Sequence, residues 1–274
     1  MKLLIRRIAF LIAASPTLAL HAQADPVPVA TSEPSNFTVS AGGFLLSSIS
    51  TRLSLAASNG NAGTDIDFNK SLGESDSASV FRVDGEWRFA ARHKLEFSWF
   101  GFDQSSTKVI STSINWGDQV FPVNATLRSS VNTDVYKVNY GYTFYREGDS
   151  ELSALIGLHI TRYETSLGIN GGGASQAFAV TAPLPVLGLE WNSRISESLT
   201  SRVAFEYFGV SLEGDKYSGH LTDFVAALNY RLNEHWSVGG GYNRFDFTAK
   251  LKDRVELKAR RSYNGLLVFL SANL

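Results

Sequence analysis

The sequence predicts an all-β chain, a transmembrane antiparallel up-and-down β-barrel of ten strands. Three observations lead there. Segments of strict two-residue alternation between apolar and polar side chains recur along the chain, which is the spacing of an extended strand with unlike faces. Beyond its start, no stretch approaches the roughly 18 consecutive apolar residues that a membrane helix needs, so a crossing has to be made by strands closed on themselves. The final stretch, Tyr263 to Leu274, places Leu266, Val268, Leu270, Ala272 and Leu274 on one face. A closing strand of this kind needs neighbours on both sides.

The start of the chain carries an address. Lys2, Arg6 and Arg7 accompany the apolar run Leu3 to Ala14, and Ala22-Gln23-Ala24 is a small-x-small box, so residues 1–24 read as a secretory signal. Without those three basic residues, 22 basic face 26 acidic side chains. This mild acidic balance lacks the basic footprint of nucleic-acid binding. The chain has no cysteine, which excludes disulfides, a lipid-modified amino-terminal cysteine and thiolate chemistry. Residues 25–36, with three prolines and little to bury, read as a flexible periplasmic leader, and residues 37–274 as the barrel.

Phe37 to about Ala57 is the first strand, with Phe37, Val39, Ala41, Gly43 and Leu45 on one face. Asn59 to Ser79 is rich in Gly, Asn, Asp and Ser and reads as a long loop. The second strand, Val80 to Ala90, alternates most cleanly: Phe81, Val83, Trp87 and Phe89 against Arg82, Asp84, Glu86 and Arg88. A short turn leads to the third, Lys94 to about Ser111, and Ile114 to Arg128 reads as a second long loop. The fourth strand is Val131 to Tyr145, and the fifth, Glu151 to Gly168, sets Leu152, Ala154, Ile156, Leu158 and Ile160 against Ser153, His159, Thr161 and Tyr163. Ile169 to Pro183, with Gly171-Gly172-Gly173, reads as the third long loop. Strands six to nine follow at Leu184–Arg194, Thr200–Leu212, His220–Leu232 and Trp236–Ala249, with Glu213–Ser218 and Lys250–Arg260 as the last two long loops.

Short turns near residues 91, 148, 197 and 234 thus alternate with long loops near 68, 120, 175, 215 and 255. A bacterial outer-membrane barrel requires that alternation, with both chain ends on the short-turn side. In these features residues 37–274 resemble the small outer-membrane β-barrel proteins of Gram-negative bacteria. The resemblance implies residence in the cell outer membrane with both termini periplasmic, contact with outer-membrane lipids and lipopolysaccharide, and biogenesis through the barrel-assembly machinery. For that machinery Leu274 stands where an aromatic residue is usual. Length and strand count are similar to those of the ten-stranded outer-membrane proteases and of adhesin-like barrels, but no active site or binding motif of either matches residue by residue.

The polar faces assemble an expected ionic lumen: Arg82, Asp84, Glu86, Arg88, Glu96, Lys137, His159, Glu190, Arg194, Arg202, Glu206, Asp223 and Arg231. Ten strands enclose a cylinder about 18–20 Å across, and charges of both signs in so narrow a space pair and fill it. Aromatic residues on the opposite faces, Trp87, Trp99, Tyr136, Tyr140, Tyr142, Trp191, Tyr207, Tyr230 and Trp236, form the expected girdle at the headgroup level.

Reactive groups are sparse. His93 and His235 fall in short turns, and His159 faces inward as a member of the interior network. His220, near Asp215 and Asp223, is the candidate for an Asp/His pair activating water at the rim. No serine lies in a nucleophile elbow, no residues carry zinc or calcium spacing, and the triple glycine lacks the setting of a phosphate cradle. The sequence therefore predicts no metal and no cofactor. The leading expectation is a non-enzymatic barrel with a filled polar lumen and long outer loops for surface interaction, its surface ligand unspecified. An outer-membrane hydrolase with a rim site and a narrow solute channel are the alternatives.

Overall fold

The structure, a computed structural model, describes residues 36–212, 217–252 and 256–274. In chain order its strands are β1 (Asn36–Leu55), β2 (Ile66–Asp67), β3 (Ala78–Ala90), β4 (His93–Val109), β5 (Ile114–Trp116), β6 (Gln119–Phe121), β7 (Thr126–Glu147), β8 (Ser150–Ile169), β9 (Ser175–Arg194), β10 (Leu199–Leu212), β11 (Tyr217–Arg231), β12 (Trp236–Lys252) and β13 (Glu256–Asn273). One short helix, α1 (Phe68–Leu72), follows β2. The signal and most of the leader lie outside the described residues.

Each long strand runs antiparallel to the next, and β13 returns to β1 in a register from Thr38↔Asn273 to Leu55↔Leu257. The sheet therefore has ring-like closure and resembles a barrel. Its strand count corrects the sequence expectation of ten. Among the described residues thirteen strands occur, eleven of them in one sheet and β5–β6 in a hairpin of their own. The surplus strands, β2, β5 and β6, are two or three residues long and arise in stretches that composition marks as loops.

Two of those stretches fold locally. After β2, the Asp67 side chain accepts from the Lys70 N–H at 3.0 Å, capping α1, and Gly73 at φ 75° closes it. The β5–β6 hairpin turns on Gly117 at φ 59°. Two other expected loops are largely strand: β9 already begins at Ser175 and carries Pro183 and Pro185 within it, and β13 begins at Glu256. The β13 extension keeps an alternation, Leu257 and Ala259 inward against Glu256, Lys258 and Arg260 outward, that the crowding of charges obscures, whereas on β9 the outward residues are small and the contrast is weak. The loop expected at 213–218 falls mostly outside the described residues.

The strands extend well beyond the apolar band on their outer face. On β8, Leu152 to Ile160 point outward, and the exposed pair Arg162–Glu164 at 2.6 Å follows directly. That apolar run is about 26 Å along the strand, or roughly 20 Å in height at a tilt of 40°. The full strand rises roughly 50 Å. A bulge in β1 between Leu46 and Ser48 keeps Phe44, Leu46 and Ile49 all pointing inward, where strict alternation would turn Ile49 out.

The inner face of β4 displays the interior in order. Lys94, Glu96 and Ser98 stand at the short-turn end, Phe100 and Phe102 follow, and Gln104 and Ser106 come last. Around the ring the same levels recur as an ionic layer, an aromatic layer and an apolar cap. The aromatic layer packs Phe44 edge-on to Phe100 at 5.4 Å and stacks Phe245 on Tyr263 at 4.7 Å. The cap gathers Ile66, Phe68, Leu72, Ile114, Trp116 and Phe121 from the two folded loops against Leu127 and Leu167.

Candidate functional site

The ionic layer is built by strands that alternate strictly. A polar residue at every second position of β3, β4, β7, β9, β10 and β11 projects to the same side, so charges far apart in sequence meet. Lys94 is fully buried, with Nζ 2.6 Å from Glu96 Oε1 and 3.1 Å from Glu86 Oε2, and it also contacts Glu190. Arg202 bridges the same acids, at 2.6 Å from Glu190 and 3.0 Å from Glu96. A second knot centres on Lys137, 2.8 Å from Glu206 and 2.6 Å from Asp223. Arg82 joins the two levels: it holds Asp84 at 2.8 Å, donates to Asn243 Oδ1 at 2.9 Å and lies 5.4 Å from the Phe100 ring centre. Arg88 reaches Glu151 at 3.0 Å near the short-turn end.

Two groups of potential ligand atoms, Glu86/Glu96/Glu190 and His159/Glu206/Asp223, each lie within 4.8 Å of one another. In each, a lysine ammonium already stands among the carboxylates, Lys94 in the first and Lys137 in the second. A divalent ion would have to displace a positive charge engaged in two or three ion pairs, so the donor sets read as ion-pair knots. His159 is fully buried, its ring is stacked on Phe245 at 4.9 Å, and neither ring nitrogen has a hydrogen-bond partner.

Of the residues expected in the lumen, Arg194 and Arg231 lie at its short-turn end, Arg194 at the mouth of the cavity. Arg194 is exposed, 3.8 Å from Asp149, and exposed Arg231 donates to the Glu197 carbonyl, both at the short turns. Alternation indicates the face a residue occupies and leaves its depth open. Conversely Lys94, as fully enclosed as Glu190, falls at the start of a predicted strand and shares the parity of Glu96 and Ser98. Arg261 falls just beyond a stretch whose charges read as a loop. It is buried, donates to Thr51 and sits 4.9 Å from the Phe102 ring centre.

His220 and Asp223 do not pair. Asp223 faces inward onto Lys137, whereas His220 is exposed on the outer face, edge-on to Tyr207 at 5.2 Å. Three residues apart on one strand is an odd separation, which sends side chains to opposite faces. Asp215 lies outside the described residues. The girdle residues Trp87, Trp99, Tyr136, Tyr142, Trp191, Tyr207, Tyr230 and Trp236 are exposed on the outer face. Tyr140 is half-buried and bonds His93 Nδ1 through its hydroxyl at 2.6 Å, so His93 is held among rings at the turn.

A cavity of about 430 Å³ enters the ring from the short-turn end, where Asp149 and Arg194 line it, and runs inward to Arg82, Lys137 and Val225. Above it stand the aromatic layer and the cap.

No protein-family model matches the chain, and neither does any curated protein. Among solved structures it is similar to the outer membrane protease OmpT from Escherichia coli, with 12% identity and a TM-score of 0.51 over 89% of this chain and 98% of that one. It is also similar to the outer membrane protein OprG from Pseudomonas aeruginosa, at 10% identity and a TM-score of 0.40 over 87% and 95%. A third is Ail, the attachment invasion locus protein of Yersinia pestis, at 10% identity and a TM-score of 0.34 over 88% and 99%. The likeness to the protease carries the fold alone: the β-rich architecture resembles that of known Gram-negative outer-membrane barrel proteins.

Proposed function

We propose that the ten long strands form a transmembrane barrel of the outer membrane, exported by residues 1–24, tethered through a periplasmic leader at 25–36, and closed to solute flow by its own interior. Both chain ends then lie in the periplasm, with the folded long loops outside. The protein acts as a non-enzymatic envelope or surface-interaction barrel whose outer strands and loops meet lipopolysaccharide and surface ligands. The single observation that supports this reading is the filling above the cavity, where Phe100 and Phe102 of β4 give way to a cap containing fully buried Trp116 and Phe121. A path for water would have to break either paired charges or an apolar core. The separation of His220 from Asp223 takes one of the two acids away from the rim pair that the hydrolase alternative invokes.

The test is electrical. In planar bilayers the refolded protein should insert without stable openings, and steady conductance on the nanosiemens scale would reject a closed interior. Removal of the α1 half of the cap by a short linker between Ser58 and Ala78 should leave the ionic and aromatic layers in place and still give no wide pore.

A further inference from the structure

β9 and β10 are in register only from Thr200↔Arg194 to Tyr207↔Leu187. Above that level β9 continues from Val186 to Ser175 in register with β8 alone, and β10 continues in register with β11 alone. The neighbouring case of an early-ending pair is β3 with β4, which stops at Arg82↔Phe100. There the segment around α1 spans the gap, with Ser106 Oγ donating to the Leu72 carbonyl at 2.6 Å and Lys108 Nζ to the Lys70 carbonyl at 2.7 Å. The β9–β10 wall instead divides.

The margin of the split has a distinctive composition. Pro183 and Pro185 lie in β9 above the last pair. Proline carries no N–H, so a margin with two of them offers fewer donors and resists the addition of another strand. On the outer face Leu187, Pro185 and Pro183 run beside Ile156, Leu158 and Ile160 of β8, and Thr181 then meets Arg162. The lower end of the split is thus continuous with the lipid-facing belt, and its upper end lies above it. On the inner face Leu184 and Val186 of β9 and Phe208 of β10 pack against the aromatic layer. That layer is sealed at its own level, with Phe44 at 0% and Phe100 and Val186 at 1% exposure, whereas Val210, the next inward residue above Phe208 on β10, keeps 36%.

We propose that this split is a cleft for a lipid acyl chain entering from the outer leaflet, a proposal that rests on the barrel reading above. Both faces of the margin are apolar, and a hydrocarbon chain needs none of the donors that the prolines withhold. An extended peptide would need them.

The native protein is refolded into phosphatidylcholine vesicles that include a lipid with a diazirine near the end of its acyl chain, and cross-links are mapped after illumination. Outward Leu189 reports membrane insertion, and inward Val225, on the wall of the cavity that opens at the short-turn end, reports an interior position away from lipid. Leu184 and Phe208 should be labelled roughly five-fold or more above Val225, as hydrocarbon reaches only side chains open to lipid. The chain has no cysteine, so Val186→Cys with Phe208→Cys introduces one pair at the next position above the last register pair. Oxidation should bring labelling at Leu184 down to the Val225 level, and reduction should restore it. Labelling of Leu189 with Leu184 at the Val225 level overturns the cleft while leaving the barrel. Labelling of Leu184 that persists in the oxidised pair overturns it as well. Failure to label Leu189 overturns the barrel reading and the cleft with it.

Discussion

Lys94→Met removes the ammonium at the centre of the ionic layer and leaves a chain of similar reach. Lys94 is fully buried and faces Glu86, Glu96 and Glu190. Taking away one partner of a buried ion pair costs about 3–5 kcal/mol, because the remaining charge stays buried without its counterion. Arg202 continues to hold Glu190 and Glu96 at 2.6 and 3.0 Å, which sets the expected loss at the lower end, about 3 kcal/mol. With a urea slope of about 2 kcal/mol per M, the unfolding midpoint falls by roughly 1.5 M. The assay is heat-dependent gel mobility of protein refolded in micelles, read across a urea series. Adding Glu190→Gln to Lys94→Met should recover more than half of the loss, since one of the orphaned carboxylates goes with it. A loss under about 0.5 kcal/mol for the single variant, the value of an exposed pair, would show that water reaches this layer, and the argument for a closed interior would fail.

Asp67→Ala should loosen α1 by about 1 kcal/mol through loss of its cap, read as faster amide exchange over residues 66–77. Burial opposes ionisation of Asp67, but the Lys70 N–H and the Arg52 guanidinium outweigh it and hold the carboxyl below its usual range. Its contribution is therefore present above the ordinary carboxylate pKa and disappears as pH falls through the lower folded value, so wild type and variant should converge in strong acid. Glu74 behaves oppositely: burial pushes its carboxyl up against the pull of Ser129 and Arg261, and neither oxygen has a well-formed hydrogen bond. The folded form favours the protonated acid, so its contribution is present in acid and lost as pH rises through the raised value. Glu74→Gln should slow exchange of the same segment at alkaline pH and change little near pH 4; an unchanged alkaline rate would contradict the burial. His159→Leu should leave stability equal or higher, because a buried polar group without a partner carries a cost of about 1–3 kcal/mol, and a clear loss in the urea series would reveal a partner for the ring.

Face was legible in this sequence, and depth was not. The alternation of Arg82, Asp84, Glu86 and Arg88 against Phe81, Val83, Trp87 and Phe89 sorts inside from outside because each side of the wall meets a different solvent. The same parity placed His220 and Asp223 on opposite faces and was there to be read before any contact was known. Arg194 and Arg231 share the inward parity but lie where the wall meets the turns, a height that no local pattern records. On β9 the inward Phe178 and Val180 pack against the cap while the outward neighbours are small, Ala177, Ala179 and Thr181, so Ser175 to Thr181 shows little of the contrast that marks a strand, and the glycines before it read as a loop. The cap was hidden for another reason. Ile66, Phe68 and Leu72 are scattered among Gly, Asn, Asp and Ser, and their value comes from Trp116 and Phe121 some fifty residues on.

The hydrogen bond from Thr38 Oγ1 to Asn273 Oδ1, at 2.9 Å, spans 235 positions of the chain. One margin of the first wall segment therefore has its partner at the far extremity of the chain, and no hairpin nearby supplies that neighbour. Loss of the thirteen residues after Arg261 would strip β12 and β1 together, so an injury at one extremity is felt at the other.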